Sequence, residues 1–250
     1  MSDLERYLLV GLIVFFTHFQ EGVTGFGCTV LALPFVALLL GLKVAVPMLV
    51  MLAWILALFI VIAARKDIVW REYLRIIALA APGLPVGLWV AHVLPEEGLK
   101  WVLAFFMVGI GVNGLIRQLM TSGKDGEISP RARLLLSAFI PIGGVIQGAF
   151  GSGGPLVVVY ASRVLTDKSV FRVTLCLVWL TLNGTLIAQW AARSMITAET
   201  LKLAALCLPF TLTGMLLGNL AHHRINETAF RILVYSVLIA SGGMLFWSLV

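Results

Sequence analysis

Two glycine-rich stretches decide how this chain folds: Glu21-Gly-Val-Thr-Gly-Phe-Gly27 and Gln147-Gly-Ala-Phe-Gly-Ser-Gly-Gly-Pro155. They interrupt two long apolar segments, 7–41 and 134–165. A straight helix over the first segment would measure about 52 Å at about 1.5 Å per residue, which is too long for one crossing at ordinary tilt. Because glycine has a low helix propensity, each cluster is expected to unwind the chain. We therefore predict that each segment forms two short half-helices joined by irregular backbone.

The composition around these stretches is that of a membrane protein. Of the 250 residues, 60% are hydrophobic and 12% are charged, whereas soluble domains carry about 25% charged residues. This excludes a soluble enzyme, a nucleic-acid-binding domain and a disordered chain, and it predicts an all-α polytopic membrane protein in a lipid bilayer. Further apolar runs long enough to cross a bilayer lie near 45–64, 73–93, 99–118, 171–192, 200–221 and 229–249.

The two breaks belong to an internal repeat. Glycines recur at matching positions in both halves, at an offset of 126 around the breaks and of 131 further along the chain. The matched sets are Gly22, Gly25 and Gly27 with Gly148, Gly151 and Gly153, and Gly83 and Gly87 with Gly214 and Gly218. We predict a first membrane repeat at 1–120, a polar central loop at 121–132 and a second membrane repeat at 133–250. Paired repeats with broken helices are typical of transporters.

The Lys and Arg residues predict the topology. If both broken segments re-enter the membrane from one side, the 18 basic residues divide 13 to 5 between the two sides; if both cross, they divide 11 to 7. The positive-inside rule favours the first arrangement. It gives each repeat a re-entrant helix pair followed by three transmembrane helices, so the two repeats are inverted. Both termini are then outside and the central loop is cytoplasmic.

The same-spaced glycine pairs Gly83/Gly87 and Gly214/Gly218 predict close helix packing inside the bundle, with a homodimer interface as the alternative. Pro82 and Pro85 are expected to kink their helix.

Cysteines 28, 176 and 207 lie in apolar stretches without metal-ligand spacing and are expected to be small core residues, so no metal site is predicted.

The breaks are the candidate binding site. Irregular backbone inside a bilayer is tolerated only where it is buried in protein or faces a wet cavity. Half-helices beginning after Gly27 and Gly154 would aim free N–H groups and positive dipole ends at that cavity, which suits a small anion. The alternative is that the glycines only permit close packing. Candidate lining residues at or near the breaks are Gln20, Gly22, Thr24, Gly25, Gly27, Ser152 and Asn183. Intramembrane amides such as Asn183 also serve to join helices, and Trp54, Trp179 and Trp190 are expected to pack or to anchor the interface.

Glu21 is the acidic residue that the sequence places clearly inside an apolar stretch, and neutral Gln147 occupies the matching position. Because an ionisable group is costly at membrane depth, it is a candidate for function. We predict that Glu21, with His18 nearby, couples proton movement to anion movement, and that H⁺ is favoured over Na⁺. The alternative is that Glu21 is a fixed partner for a helix end or for His18.

Gly148-Ala-Phe-Gly-Ser-Gly-Gly-Pro-Leu-Val-Val-Val-Tyr160, followed by Phe171-Arg-Val-Thr174, resembles the second-half signature of the sulfite exporter TauE/SafE family. The stretch 22–27 with Pro34 resembles the first-half motif, and the resemblance covers essentially the whole chain. It implies a bacterial inner-membrane transporter without a cofactor that moves sulfite or an organosulfonate by alternating access. It also implies substrate contacts from Gln147, Arg172 and the backbone of Gly151, Ser152, Gly153 and Gly154.

Two other classes of function remain as alternatives. Phe150-Gly-Ser-Gly153 partly resembles the motif of a membrane serine protease, but Phe150 stands where that motif has glycine, and a nucleophile also needs a base within reach. A structural or assembly membrane protein is the other alternative, although it has no need for duplicated breaks at membrane depth. We therefore expect a transporter and not an enzyme.

Overall fold

The computed structural model describes residues 3–120, 130–222, 227–247 and 249, and every regular element within them is helical. The predicted all-α polytopic membrane class is confirmed: seven helical segments of the described chain are long and apolar enough to cross a membrane. The helices are α1 Asp3–Thr24, α2 Cys28–Leu40, α3 Leu42–Ala64, α4 Trp70–Ala80, α5 Gly83–Val93, α6 Glu96–Met120, α7 Pro130–Ser137, α8 Phe139–Phe150, α9 Gly154–Val164, α10 Lys168–Ala192, α11 Ala198–Ala221 and α12 Glu227–Trp247.

Both glycine clusters break their helices as predicted, but the two arms of each broken segment are unequal. The first arms, α1 and the α7–α8 pair, are long and apolar enough to cross a membrane. The second arms, α2 with 13 residues and α9 with 11, are too short. The prediction of two short half-helices is therefore wrong for the first arms. Helix-forming charged residues at 3–6 and 131–133 extend those arms upstream of the apolar segment.

The first arm of each broken segment packs against a helix of the other repeat. A Cβ at Gly218 of α11 would lie 2.2 Å from the carbonyl oxygen of Phe19 in α1, and a Cβ at Gly87 of α5 would lie 2.0 Å from that of Val145 in α8. These approaches leave no room for a side chain. The predicted packing role of the paired glycines inside the bundle is confirmed. The predicted kink is also found, because α4 ends at Ala80 and α5 begins after Pro82.

Equivalent helices of the two repeats pair with each other and run antiparallel. Along the α6–α12 pair, Gly111 faces Tyr235 and Ile239 while Gly242 faces Ala104. Along α3–α10, Trp54 lies against Gly184, and the amide of Val69, beyond the end of α3, donates to Thr174 Oγ1 near the start of α10 at 3.2 Å. Antiparallel equivalents are what inverted repeats require, so this pairing supports the predicted inversion, which stays a prediction. Residues 121–129 of the central loop lie outside the described residues.

Helices α3 and α10 form the centre of the bundle. Twelve of the 23 residues of α3 are buried, and they are apolar all round. The buried face of α10 carries polar groups among apolar ones: Arg172, Thr174 and Asn183. Arg172 lies against Gly25 of the first break and Asn183 lines the space between the breaks, whereas Thr174 accepts from the amide of Val69.

Candidate functional site

Break 1, residues 25–27 between α1 and α2, is closed by the side chain of Glu21. Gly25 has φ +82° and Gly27 has φ +101°, a left-handed conformation that favours glycine. The amide of Gly25 donates to the carbonyl oxygen of Glu21 at 2.7 Å. The carboxylate Oε2 of Glu21 then accepts from the amide of Cys28, the first residue of α2, at 2.7 Å. An internal carboxylate thus occupies the positive end of the short helix α2.

Break 2, residues 151–153 between α8 and α9, is built in the same way. Gly151 has φ +63°, and its amide donates to the carbonyl oxygen of Gln147 at 2.8 Å. The side-chain Oε1 of Gln147 accepts from the amide of Gly153 at 2.9 Å, just before α9 begins. Gln147 and Glu21 therefore perform the same task in matching positions. The difference is that α9 is capped by a neutral amide.

A small cavity lies between the two breaks and against α3 and α10. It offers about 20 Å³ to the centres of water molecules, which is room for one or two waters. The residues around it are Glu21, Gly27, Thr29, Val30, Ala53, Gln147, Gly151, Ser152, Gly154, Pro155, Trp179 and Asn183. Residues from both repeats thus line one shared space.

The second half contributes most of the hydrogen-bond donors at this cavity. Gln147 Nε2 donates to Asn183 Oδ1 at 2.6 Å, which leaves the amide nitrogen of Asn183 as a donor. Ser152 Oγ donates to the carbonyl oxygen of Phe150 at 3.0 Å and can rotate toward the cavity. Free N–H groups of the first turn of α9 add to these, because the first amides of a helix have no partner within it. The arrangement suits an anion with several oxygen atoms.

Trp179 is buried in the apolar core, as expected of a packing residue, and its indole also lines the cavity. Its Nε1–H donates to the carbonyl oxygen of Gly25 in break 1 at 3.1 Å. The far edge of the same ring would lie 3.7 Å from a Cβ at Gly154, where α9 begins. One side chain therefore extends from break 1 to the start of α9. The sequence signal for this role was the spacing of Cys176, Trp179 and Asn183 on one face of α10.

The predicted site residues divide into two groups. Seven line the cavity: Glu21, Gly27, Gln147, Gly151, Ser152, Gly154 and Asn183. The others support the breaks from outside the cavity. Gln20 donates to Thr24 Oγ1 at 2.9 Å and to the carbonyl oxygen of Phe26 at 3.0 Å, so this pair braces break 1. Gly22 and Gly153 are packing positions, because their Cβ atoms would lie 2.9 Å from Met215 O and 2.1 Å from Gly143 O.

His18 is buried beside Glu21 on α1 but does not pair with it. Its Nδ1 bonds the carbonyl oxygen of Val14 at 2.8 Å, and its Nε2 has no hydrogen-bond partner among the described residues. Glu21 instead has the helix-end partner that was the alternative to proton coupling. The helix-end role and the proton-coupling role are compatible, because a protonated carboxyl keeps a carbonyl oxygen that can accept from the amide of Cys28. Coupling through Glu21 and His18 stays a prediction.

Arg172 lies outside the cavity, against break 1. It is 8% exposed, and Cα and Cγ would each lie 2.8 Å from a Cβ at Gly25. Its Nη2 donates to Asn219 Oδ1 at 2.8 Å, while its Nε has no partner among the described residues. Direct contact between Arg172 and a substrate remains untested.

Glu72 is a buried acidic residue that the sequence analysis missed. It was overlooked because α4 begins with charged residues and looks like a helix end. The available signal was its register, since Glu72, Ile76 and Ala80 recur every four residues and are the buried positions of α4.

The described residues contain no group of three or more His, Cys, Asp or Glu that could hold a metal ion. The three cysteines are free and buried, as expected of core residues.

Comparison with known proteins identifies the family. The family model described as sulfite exporter TauE/SafE matches residues 10–245. The chain belongs to this family. It is similar to the probable inner membrane transporter protein TsaS of Comamonas testosteroni, with 26% identity over 180 residues that cover 71% of this chain and 72% of that protein. No solved structure matches significantly. The chain is thus a multi-pass membrane protein of a bacterial transporter family.

Proposed function

We propose that this TauE/SafE protein is a secondary transporter of a small sulfur-containing oxyanion, either sulfite or a short organosulfonate. The observation that carries the proposal is a small cavity lined by residues of both breaks, with amide, hydroxyl and helix N-terminal donors around it. The family description and the transporter name of the TsaS relative support the reaction class and the inner membrane of a bacterium as the location. None of the lining residues is a histidine or lysine that would act as base for Ser152, so a hydrolase has no such support.

The anion is proposed to bind at the start of α9. That end of the helix carries a positive partial charge, and its cap, Gln147, adds no negative charge to oppose an anion. Asn183 and Ser152 supply side-chain donors, and the glycines let oxygen atoms approach the backbone. The cavity holds one or two waters and is too small for an anion of four or more heavy atoms. Binding therefore requires the surrounding helices to move.

Glu21 is proposed to couple this binding to protons. Glu21 is buried, and a buried carboxylate repels an anion in the same cavity more strongly than it would in water. Proton uptake by Glu21 removes that repulsion, so anion and proton would move together. The titratable or charged groups around Glu21 are His18 on α1, Cys28 on α2, Cys176 and Arg172 on α10, and His222, which bonds Val23 from α11.

Alternating access is proposed to arise from relative movement of the two repeats. The first arm of each repeat packs against a helix of the other repeat, α1 against α11 and α8 against α5. Helices α3 and α10 meet at the cavity. In an inverted pair of repeats, a rocking of one repeat against the other opens the cavity first to one side and then to the other. We propose the inverted topology in which both termini are outside and the central loop is in the cytoplasm.

Proteoliposome uptake tests the proposal. Purified protein is reconstituted, and uptake of labelled sulfite and of short alkanesulfonates is measured with an inward proton gradient, an inward Na⁺ gradient or neither. We expect saturable sulfite or sulfonate uptake that a proton gradient accelerates. Absence of flux for every sulfur anion under every gradient would refute the transporter proposal. Thermal stabilisation by the same anions identifies which one the folded protein binds.

A further inference from the structure

A buried ionic network lies at the far end of α9 from the cavity. The carboxylate of Glu72, on α4, accepts from the hydroxyl of Tyr160 on α9 at 2.6 Å and from Arg133 Nη2 on α7. Arg75 Nη1 approaches the same carboxylate at 3.5 Å and donates to Tyr160 Oη at 3.0 Å. Tyr160 follows Gly154 by six residues, about 9 Å along a helix. One short helix therefore carries the cavity at its start and this network near its end.

The donors of the network form a cradle for one group with several oxygens. Two guanidinium groups and one phenol hydroxyl converge on a single carboxylate, and guanidinium is the group best suited to bind oxyanions. The Glu72 side chain is 6% exposed, whereas the side chains of Arg75 and Arg133 are 34% and 35% exposed. The carboxylate is thus enclosed, but both cations can be reached from outside. With Glu72 ionised, the group still carries one excess positive charge.

The cradle lies where the basic residues of the described chain gather. The amide of Val69 bonds Thr174, and Glu72 bonds groups of α7 and α9, so the ends of these helices meet. The basic residues at those ends are Arg65, Lys66, Arg71, Arg75, Arg131, Arg133, Arg163, Lys168 and Arg172. Their summed potential concentrates anions at this end of the protein.

The first half lacks such a cradle. At offsets of 126 and 131, the positions matching Arg133, Tyr160, Glu72 and Arg75 hold Tyr7, Pro34, Leu203 and Leu206. A network needed only to hold a short second arm in place would be expected at both breaks. The network is found at the short arm that begins at the proposed anion site, and this location links the role of the network to the anion.

We propose that Arg75, Arg133 and Tyr160 form a second oxyanion-binding site, which the carboxylate of Glu72 fills in this structure and which the transported anion occupies in its place on its way to or from the cavity. The ligand is a small oxyanion of the sulfite or sulfonate type, an identity that rests on the proposed function. Exchange of Glu72 for the anion would transfer the hydrogen bond of the Tyr160 hydroxyl, near the end of α9, from the carboxylate to the anion.

The test removes the charge of the internal ligand by Glu72→Gln and measures sulfite binding to the detergent-solubilised full chain by titration calorimetry and thermal unfolding. Sodium chloride at equal ionic strength is the control for screening. We expect a second sulfite site in Glu72→Gln, and thermal stabilisation at a sulfite concentration roughly tenfold lower than the wild-type protein needs, because the internal competitor is gone. Adding Arg133→Gln to this variant should remove the second site. A folded Glu72→Gln protein that gains no sulfite binding overturns the proposal.

A double variant distinguishes anion binding at this second site from anion binding at the cavity. Gln147→Glu places a second carboxylate at the cavity and is expected to abolish anion binding there. In the Gln147→Glu/Glu72→Gln protein, one sulfite site should remain. If no site remains, the cradle proposal is refuted, even if the wild-type protein transports sulfite through the cavity. Co-purification of anionic lipid with Glu72→Gln in place of sulfite binding also refutes it.

Tyr160→Phe provides a second measurement if Glu72→Gln does not fold. It keeps the ion pairs and removes one donor, so half-saturation of sulfite uptake should shift severalfold while cavity binding is retained. An unchanged half-saturation would overturn the proposal.

Discussion

Break 1 and break 2 use the same backbone device with opposite electrostatic results. In each, a glycine with positive φ ends the first arm, and the matching side chain, Glu21 or Gln147, reaches across to an amide at the start of the second arm. Glu21 puts a carboxylate at the end of α2, whereas Gln147 leaves the end of α9 without a countercharge. The comparison teaches that one charge can distinguish two copies of a duplicated fold element, which is the basis for proposing a proton site in one copy and an anion site in the other.

The two breaks also differ in what reaches them from the central helices. The carbonyl oxygen of Gly25 in break 1 receives the indole N–H of Trp179. On α3, at the offset of 128 that relates the central helices, the position matching Trp179 holds Met51, which has no such donor. Trp179 of α10 therefore donates a hydrogen bond to break 1, and α3 has no matching donor for break 2 at the equivalent position.

Gln147→Glu is expected to have the largest effect, because it makes break 2 electrostatically like break 1. A second carboxylate about 4 Å from a bound anion costs about 4 kcal/mol at an effective dielectric constant of about 20. Sulfite affinity should therefore fall by roughly a hundredfold or more, measured by calorimetry. Gln147→Met is the control without added charge; it loses both side-chain hydrogen bonds, whereas Gln147→Glu keeps an acceptor for the amide of Gly153 and loses the donor to Asn183. Equal losses in the two variants would show that charge does not distinguish the breaks.

Glu21→Gln makes break 1 neutral like break 2, and its effect is expected on pH dependence. If anion binding takes up one proton at Glu21, wild-type sulfite affinity rises about tenfold for each unit by which pH falls across the titration of that carboxyl. Because Gln cannot take up a proton, affinity should be retained and the dependence lost. The amide can still accept from Cys28, so the helix cap remains. A Glu21→Gln protein with wild-type pH dependence of binding and flux would remove Glu21 from the coupling.

Trp179→Phe tests the connection between the breaks, with a smaller expected effect. The ring is retained but the donor to Gly25 is lost, which removes about 1 kcal/mol. We expect roughly fivefold slower sulfite uptake with little change in affinity. Trp190→Phe is the control, since Trp190 is a buried indole of α10 that does not line the cavity. Equal effects of the two substitutions would reduce Trp179 to a packing residue.

The sequence predicted the fold to the extent that local signals determine it. Glycine clusters and apolar runs located both breaks, five of the six further spans and the kink at Pro82, because helix propensity and bilayer thickness act locally. The exchange of first arms between repeats was not predicted. Glycine spacing shows that a neighbour comes close, but which helix that is depends on tertiary packing.

The candidate site was predictable where two repeats could be compared. Glu21 and Gln147 were found by their matching positions, and both line the cavity. Trp179 and Glu72 were missed because neither has a counterpart, and a large aromatic or a charged residue near a helix end is common without any function. Gln20 and Thr24 were placed correctly at the break but face each other, since side-chain direction at an irregular turn is not set by a helical period.

The smallest expected effect is a change in anion selectivity, produced by Gly154→Ala at the start of α9. A methyl group there would lie 3.7 Å from the Trp179 ring, an ordinary contact that the fold tolerates, but it takes space from the anion. Loss of the space of one methyl group should weaken sulfite binding roughly threefold and a larger alkanesulfonate roughly tenfold. Gly153→Ala is the contrasting variant, because its Cβ would lie 2.1 Å from the carbonyl oxygen of Gly143 and should prevent folding. If Gly154→Ala weakened all anions equally, the start of α9 would not set the size of the anion, and the assignment of anion binding to break 2 would lose its steric support.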